Sequence, residues 1–286
     1  MDSSTRVDLH IHTVASDGTW TPAETVAAVR AAGIGLFAVT DHDSAASVAL
    51  TARLAAEAGL GFLSGVEISV TLAGHLFHVL GYGIDPEGRS LRRILDANTA
   101  LMEEVDHDSI KRLAAAGLPI SYAEFCAYDY DPGRGGWKSL YYLIDKGLCT
   151  GVGDFFAELF NAKRGIVFPE FSHPAEAIAA IKEAGGVPIL AHPGSDFHGP
   201  AIEETLDLFA AEAIEGVECF HLCHDAATTR RAVEWCDLHN LLITGGSDCH
   251  GGFVPARRLG VPELRLGQLR LGKLADSLTG FSEGGG

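Results

Sequence analysis

Asp8-Leu9-His10-Ile11-His12 ends the first apolar run of the chain and begins a pattern that recurs along it. Residues i and i+2 of a β-strand point to the same side, so the imidazoles of His10 and His12 would face one site. Two histidines on one strand are often incidental. Their place at the C-terminal end of the run matters, because the active sites of α/β barrels lie at that end of the strands.

The same pattern recurs in five further apolar runs, four of which carry the ionisable residue at their C-terminal end. These are Thr40-Asp41-His42-Asp43, Gly65-Val66-Glu67, Phe77-His78-Val79, Ala191-His192-Pro193 and Ser247-Asp248-Cys249-His250. Alone, each has an ordinary explanation, since such a histidine is usually a satisfied polar residue and such an aspartate often caps a helix. Together they would crowd carboxylates into a poorly solvated pocket. Bound divalent cations would relieve that repulsion, so the sequence predicts a metal centre.

Seven apolar runs, rich in Val, Ile, Leu and Phe with little alternation, are typical of strands buried on both faces of a parallel sheet. The predicted strands are residues 7–11, 34–40, 61–68, 75–82, 187–191, 216–220 and 241–246. Helical patterns with capping signals, such as Thr21-Pro22-Ala23-Glu24, separate most of them. The predicted helices are residues 21–32, 44–58, 174–184, 201–213 and 226–239. This alternation favours an α/β barrel over a sandwich or a helical bundle.

A long helical pattern and then an irregular aromatic segment interrupt this alternation between residues 90 and 168. We predict that residues 91–168 form a helical insertion that caps the barrel mouth. Residues 1–90 and 169–286 would then form one discontinuous barrel. Residues 281–286 are predicted to be a frayed tail.

The composition restricts the class of partner. The 286 residues include 38 acidic and 21 basic side chains, a formal charge of −17, which repels long nucleic acids and anionic membranes. No apolar run approaches the roughly 18 residues that span a bilayer, and the N-terminus lacks a secretory signal, so we expect a cytoplasmic protein. The six cysteines form no Cys-x-x-Cys pair and are predicted to be reduced thiols, mostly in the core.

Taken together and in order, these motifs resemble those of the PHP (polymerase and histidinol phosphatase) family, in particular its TrpH-like metal-dependent phosphoesterases. The resemblance covers residues 7–90 and 165–262, and Asp17 matches a further metal position. It implies a distorted (β/α)7, TIM-like barrel and a trinuclear metal centre. The implied ligand sets are His10, His12, Glu67 and Asp248 for one ion, Glu67, His78 and His192 for a second, and Asp17, His42 and His250 for a third. Imidazole and carboxylate ligands suit Mn²⁺, Zn²⁺ or Fe²⁺.

The predicted function is hydrolysis of a small phosphate ester (a nucleotide, a sugar phosphate or a cyclic phosphate) by metal-activated hydroxide. Asp248, His42 and Glu67 are the predicted catalytic residues, and Asp41 and Asp43 are predicted to brace neighbouring imidazoles. Two alternatives stay open. One is an exonuclease on short oligonucleotides, and the other is an amidohydrolase-type C–N or lactone hydrolase. No strand end offers a bridging lysine, which counts against the second.

The predicted substrate contacts lie mainly in the insertion. TrpH-like relatives carry a Gly-Arg-Pro-His motif there that contacts phosphate, whereas this chain has Gly135-Gly136-Trp137-Lys138. Lys138 would replace the histidine, and Trp137 would stack on a base or close the pocket. The other candidates are Arg134, Arg164 and His224. Arg257 and Arg258 are predicted to be a solvated pair.

Overall fold

The structure, a computed structural model, describes residues 2–279, so the predicted tail at 281–286 lies outside the described residues. Eight strands form one sheet that curls into a nearly closed barrel. The strands are β1 (Arg6–Asp8), β2 (Leu36–Val39), β3 (Gly61–Leu72), β4 (His75–Tyr82), β5 (Val187–Leu190), β6 (Gly216–Phe220), β7 (Leu242–Gly245) and β8 (Leu264–Arg265). The helices are α1 (Pro22–Ala31), α2 (Val48–Glu57), α3 (Arg89–Ala115), α4 (Tyr122–Ala127), α5 (Lys138–Asp145), α6 (Val152–Asp154), α7 (Pro174–Glu183), α8 (Ile202–Phe209) and α9 (Ala226–His239).

The predicted α/β barrel with a helical insertion is confirmed. The sheet order is β7-β6-β5-β4-β3-β2-β1-β8, and every residue of β2 and β5 is buried, as expected for strands covered on both faces. The barrel nearly closes between β1 and β7, where the Leu9 amide donates to the Gly245 carbonyl at 3.2 Å. The short β8, which pairs antiparallel with β1, is an addition to the seven predicted strands.

The prediction of a parallel sheet is wrong for the fourth strand. β4 runs antiparallel to both β3 and β5. Only Ala73 and Gly74 separate it from β3, and both have positive φ angles, of 51° and 79°. A two-residue turn with two positive φ angles is the favoured connection of a β-hairpin, so this turn reverses the chain. The reversal also brings His78, near the start of β4, to the edge where the parallel strands end.

Helix boundaries follow local capping. At α1, Thr21 accepts the Glu24 amide and the Glu24 carboxylate accepts the Thr21 amide, which is the predicted capping box. α9 has the predicted bounds, with Asp225 as its N-cap. α2 begins later than predicted, at Val48, since the Ser47 hydroxyl donates to Asp41 and does not cap the helix.

The long helix α3 joins two apolar cores. Leu91, Ile94 and Leu95 pack with the barrel core, which includes β3, β4 and α7. Ile110 and Leu113, near its other end, pack in a second core built from the insertion. The insertion is therefore continuous with the barrel through one helix, and the division at residues 91–168 stays a prediction. Within residues 2–279, no helix has both the length and the hydropathy to cross a membrane.

Candidate metal centre

The nine side chains predicted as metal ligands converge at the edge of the barrel where the parallel strands end. They come from seven separate stretches of the chain, which only the barrel brings together. The buried ones are His10, His12, Glu67, His78, His192, Asp248 and His250, and the half-buried ones are Asp17 and His42.

The carboxylate of Glu67 lies at the middle of this cluster and is fully buried. Five imidazole nitrogens surround it, at 2.8 to 3.2 Å from its two oxygens. These nitrogens belong to His10, His12 and His42 around Oε2, and to His78 and His192 around Oε1. If all five imidazoles were protonated, their five positive charges would exceed the single negative charge of the Glu67 carboxylate. Neutral imidazoles together with this carboxylate would instead be suitable ligands for divalent cations.

Neighbouring groups fix which nitrogen of two of these rings carries the proton. His10 donates from Nδ1 to Glu218 Oε1 at 2.9 Å, which leaves its Nε2 lone pair facing Glu67. His198 donates from Nδ1 to the Leu76 carbonyl at 2.8 Å, so its Nε2 accepts from His192 Nδ1 at 3.1 Å. His192 Nε2 then also presents a lone pair to Glu67. Metal-binding histidines are commonly held in this way through their outer nitrogen.

Several buried polar atoms at the cluster have no hydrogen-bond partner among the described residues. They are His12 Nε2, His78 Nδ1, His221 Nε2 and Asp248 Oδ1. Leaving a buried polar atom unpaired costs about 1–3 kcal/mol, so such atoms are rare without an explanation. Since imidazole nitrogens and carboxylate oxygens are metal ligands, divalent cations would satisfy them, and the residues present fit a metal centre.

The same crowding shifts the pKa values of the cluster strongly. Burial raises the pKa of Asp248, but the charges of His10 and Arg257 lower it more, and the net pKa lies well below its usual value. Glu67 has a lowered pKa for the same reason, with His10 as the main neighbour that lowers it. Burial lowers the pKa of His12, but the carboxylates of Asp248 and Glu67, 3.1 and 3.2 Å from its Nε2, raise it to about 10. Cations that bind here therefore compete with protons.

Four sets of ligand atoms lie close enough together to hold an ion, each set within 4.8 Å. The first matches one predicted ion: His10, His12, Glu67 and Asp248. The second contains the predicted Asp17, His42 and His250, with His12 in addition. The third contains Glu67 and His78 with His42. His192, which was predicted for this ion, instead forms a fourth set with His10 and Glu218.

The backbone at two predicted ligands has an unfavourable conformation. His192 and Asp248 have φ angles of 22° and 53°, in the left-handed region that residues other than glycine rarely adopt. Gly246, just before Asp248, lies so close to His10 that an added Cβ would be 2.4 Å from His10 Cβ. Such strain persists where the surroundings impose it, and it is commonest at functional sites.

The predicted role of Asp41 and Asp43 is wrong, because within residues 2–279 neither aspartate hydrogen-bonds an imidazole. Asp41 accepts from the Thr13 amide at 2.6 Å and from the hydroxyls of nearby side chains. Asp43 accepts from Ser69 and from the Asn98 amide group on α3 at 2.7 Å. These aspartates therefore hold loop and helix backbones around the site.

Four residues near the centre were not predicted. Glu218 and His198 orient ligand imidazoles, as described above. His221 Nε2 lies 3.4 Å from Asp248 Oδ2. Arg257, predicted to be solvated, instead pairs with the same Asp248 oxygen at 2.5 Å. One signal was available for Glu218: the tripeptide Gly216-Val217-Glu218 repeats the Gly65-Val66-Glu67 that carries the central carboxylate.

A cavity of about 1240 Å³ opens above the cluster, between the barrel and the insertion. The predicted ligands Asp17, His42, His78, His192, Asp248 and His250 line its floor. Its walls include aromatic side chains of the insertion and of two barrel loops, together with one face of α3. The volume is sufficient for a small ligand.

Two of the five predicted substrate contacts line this cavity, namely Trp137 and Lys138. The other three are not among its lining residues within the described chain. Arg134 pairs with Asp145 at 2.8 Å and lies over the Tyr141 ring. Arg164 donates to the Glu158 carbonyl. His224 accepts the Gly194 amide at 3.0 Å through Nε2, and its Nδ1 donates to the Cys219 carbonyl, so both nitrogens are engaged.

Comparison with known proteins adds an independent observation. The PHP domain family matches residues 8–185, which is more than half of the chain. The 3′,5′-nucleoside bisphosphate phosphatase of Chromobacterium violaceum is 31% identical over 260 residues, covering 90% of this chain and 91% of that protein. The 5′-3′ exoribonuclease of Haemophilus influenzae is 29% identical, with 86% of this chain and 90% of that protein covered.

A solved structure with a similar fold comes from Bifidobacterium adolescentis and is assigned as a metal-dependent phosphoesterase. The TM-score is 0.78 at 30% identity, and the match covers 91% of this chain and 92% of the other. The barrel and the insertion described above therefore recur in that protein over nearly its whole length.

Proposed function

We propose a substrate class and a metal content for this chain. The chain belongs to the PHP domain family and is a metal-dependent phosphoesterase. The proposed substrate is a small phosphate ester, that is, a nucleotide, a sugar phosphate or a cyclic phosphate. The observation that carries the proposal is the ring of five imidazoles around the buried Glu67 carboxylate, at the floor of a cavity of small-molecule size.

We propose three divalent ions, Mn²⁺, Zn²⁺ or Fe²⁺, held by the nine predicted ligands. Three of the four sets of clustered ligand atoms correspond, wholly or in part, to the predicted ions and support this number, and the mixture of imidazole and carboxylate supports these metals. When bound, such ions lower the pKa of water and offset the negative charge that develops on a phosphoryl group.

The protein's own contribution is to hold these ligands in place. Glu218 fixes the His10 ring and also accepts the His192 amide at 3.0 Å, so one carboxylate joins β1 to the end of β5. Arg257 lies beside Asp248 at the cavity wall, with its guanidinium 2.5 Å from the carboxylate. We propose Asp248, His42 and Glu67 as the catalytic residues, since each belongs to a candidate ion set. Trp137 and Lys138 are the proposed substrate contacts.

Elemental analysis of the purified protein tests the metal proposal. We expect close to three equivalents of transition metal per chain, and we expect dialysis against a chelator to remove both the metal and the turnover. Readdition of Mn²⁺, Zn²⁺ or Fe²⁺ separately should then identify the ion that restores activity. A fully active protein with no bound metal would refute the proposal.

A phosphate-release screen tests the substrate class. It should cover nucleotides, sugar phosphates and cyclic phosphates, with bis(p-nitrophenyl) phosphate as a diester and a chromogenic amide as the control for a C–N hydrolase. We expect turnover of at least one small phosphate ester and none of the amide. Turnover of the amide alone would favour the amidohydrolase alternative.

A 5′-3′ exoribonuclease is the second candidate, because a relative with that activity aligns over most of this chain. A 5′-phosphorylated RNA hexamer, added to the same screen, separates the two. Release of mononucleotides faster than release of phosphate from any small ester would favour the exoribonuclease. The formal charge of −17 argues against tight binding of longer RNA.

A further inference from the structure

We infer that the cavity selects phosphate monoesters that have one phosphoryl group and a flat, uncharged leaving group, and that it disfavours substrates with a second anionic group. The inference rests on the proposed function and deepens it. Three observations on the cavity wall carry it, namely an aromatic band, a carboxylate face and the engagement of the nearby cations.

The aromatic band connects the metal site to the insertion. Phe197 is 48% exposed. Its ring centroid lies 5.9 Å from that of His78, with an angle of 30° between the ring planes, and 5.6 Å from that of Phe168. On the other side of the site, Phe253 lies 6.4 Å from His250 and 6.0 Å from Trp137.

The aromatic side chains of this band line the cavity, where a leaving group attached to a phosphate at the ions would contact them. Exposed aromatic rings provide surfaces on which flat groups such as nucleobases stack. The band therefore favours a flat leaving group over a small polar one.

Carboxylates along one face of α3 would repel a second anionic group of the substrate. Asp96, Glu103 and Asp106 line the cavity at spacings of seven and three residues, which places them along one side of the helix. Asp96 and Glu103 are exposed, and within residues 2–279 neither forms an ion pair. A second phosphate close to these two exposed carboxylates would be repelled.

Cationic side chains of the cavity wall are already engaged. Arg92 pairs with Glu87 at 2.7 Å, and Arg257 pairs with Asp248 at 2.5 Å. Lys138 donates to the Cys126 carbonyl at 3.3 Å. Among the cavity-lining residues that the structure describes, Lys138 is therefore the one cation without a carboxylate partner. A single ammonium is a weak counterpart for a second phosphate dianion that also faces the α3 carboxylates.

Three substrates that share one scissile bond test the inference: adenosine 5′-monophosphate, ribose 5-phosphate and adenosine 3′,5′-bisphosphate. The full-length chain is loaded with Mn²⁺, and kcat/KM for the 5′ ester is measured from phosphate release, with chromatography of the nucleotide products to separate it from loss of the 3′-phosphate of the bisphosphate. We expect the monophosphate to exceed ribose 5-phosphate by about tenfold, since base stacking on aromatic side chains is of that order. We expect it to exceed the bisphosphate by about tenfold, with a smaller ratio at high salt, because exposed charges are screened.

Variants with matched control substitutions test which residues produce each of the two substrate preferences. Asp96→Asn combined with Glu103→Gln should raise kcat/KM for the bisphosphate by about threefold or more relative to the monophosphate, as expected when a like charge is removed. Glu104→Gln, an exposed carboxylate of α3 outside the cavity lining, is the control and should not change the ratio. Phe197→Ala should reduce the preference for adenosine over ribose, whereas Leu238→Ala, 80% exposed on α9, should not.

The outcomes separate the inference from the proposed function. Turnover of the bisphosphate equal to or above that of the monophosphate overturns the inference and leaves a phosphoesterase. An unchanged base preference in Phe197→Ala overturns the role of the aromatic band. No phosphate from any of the three esters, nor from the wider screen, refutes the proposed function together with the inference.

Discussion

Replacing Glu218 by glutamine tests whether a buried carboxylate sets the protonation of a metal ligand. Glu218 accepts two hydrogen bonds, from His10 Nδ1 at 2.9 Å and from the His192 amide at 3.0 Å. A glutamine has only one oxygen at this position. Because the backbone amide can only donate, the glutamine oxygen should stay with His192 and its NH₂ group should face His10. The His10 ring would then carry its proton on Nε2, where no lone pair remains for an ion.

The expected size of this effect follows from the geometry. Loss of a group that orients a metal ligand typically reduces metal affinity 10- to 100-fold, about 1.4–2.8 kcal/mol. Calorimetric titration of the metal-free protein with Mn²⁺ measures the affinity directly, apart from any turnover. We expect one class of sites to weaken in Glu218→Gln while the ions that do not contact His10 bind as before.

Glu215→Gln is the matched control. Glu215 precedes the same strand but is half-buried and pairs with Lys182 and Lys273, away from the cluster. Its replacement should leave metal affinity unchanged. Equal metal binding by Glu218→Gln and the wild-type chain, with both folded by circular dichroism, would refute the reasoning.

Four further predictions concern activity, stability and reactivity. Asp248→Ala should abolish phosphate release and keep the circular dichroism spectrum; retained turnover would contradict its place in the site. Chelation should lower the Tm measured by calorimetry, because ions that bind only the folded chain stabilise it, and an unchanged Tm would argue against bound ions. The hydrogen bond from Arg134 lowers the pKa of Asp145 to about 2, so the pair stabilises the fold above the ordinary pKa of 3.8 and this stabilisation is lost as the pH falls towards 2. Since the two side chains are 35% and 43% exposed and therefore screened by solvent, Asp145→Asn should cost less than about 1 kcal/mol in urea unfolding at pH 7, and a larger loss would show a structural role. Burial raises the pKa of the Cys223 thiol, but hydrogen bonds with neighbouring histidines lower it to about 7, so iodoacetamide should label Cys223 faster than the exposed Cys126 at pH 7, and equal rates would contradict this.

The parts of the site that could be predicted are those where an ionisable residue ends an apolar strand. His10, His12, Glu67 and Asp248 belong to this group, because strand alternation and barrel geometry send such side chains to one edge. The family and the phosphoesterase activity followed from the order of these motifs and are confirmed by the comparisons.

The parts that could not be predicted depend on pairing between distant residues. The ion pair of Arg257 with Asp248 and the contact of His198 with His192 involve loops, whose course has no periodic signal. The direction of β4 was missed because an apolar run is equally compatible with either orientation. The turn at Ala73 and Gly74 was the available signal, since two-residue connections join antiparallel strands.

Helix α3 spans the distance between the barrel and the insertion and gives a physical reason to expect a rigid cavity mouth. Its 27 residues contain neither proline nor glycine, the usual sites of kinks, and extend over about 40 Å. One end of the helix packs in the barrel core and the other in the core of the insertion, so a single rigid helix links the two. We expect the entrance to keep a constant width through the catalytic cycle, and access would then be limited by the dimensions of the incoming molecule.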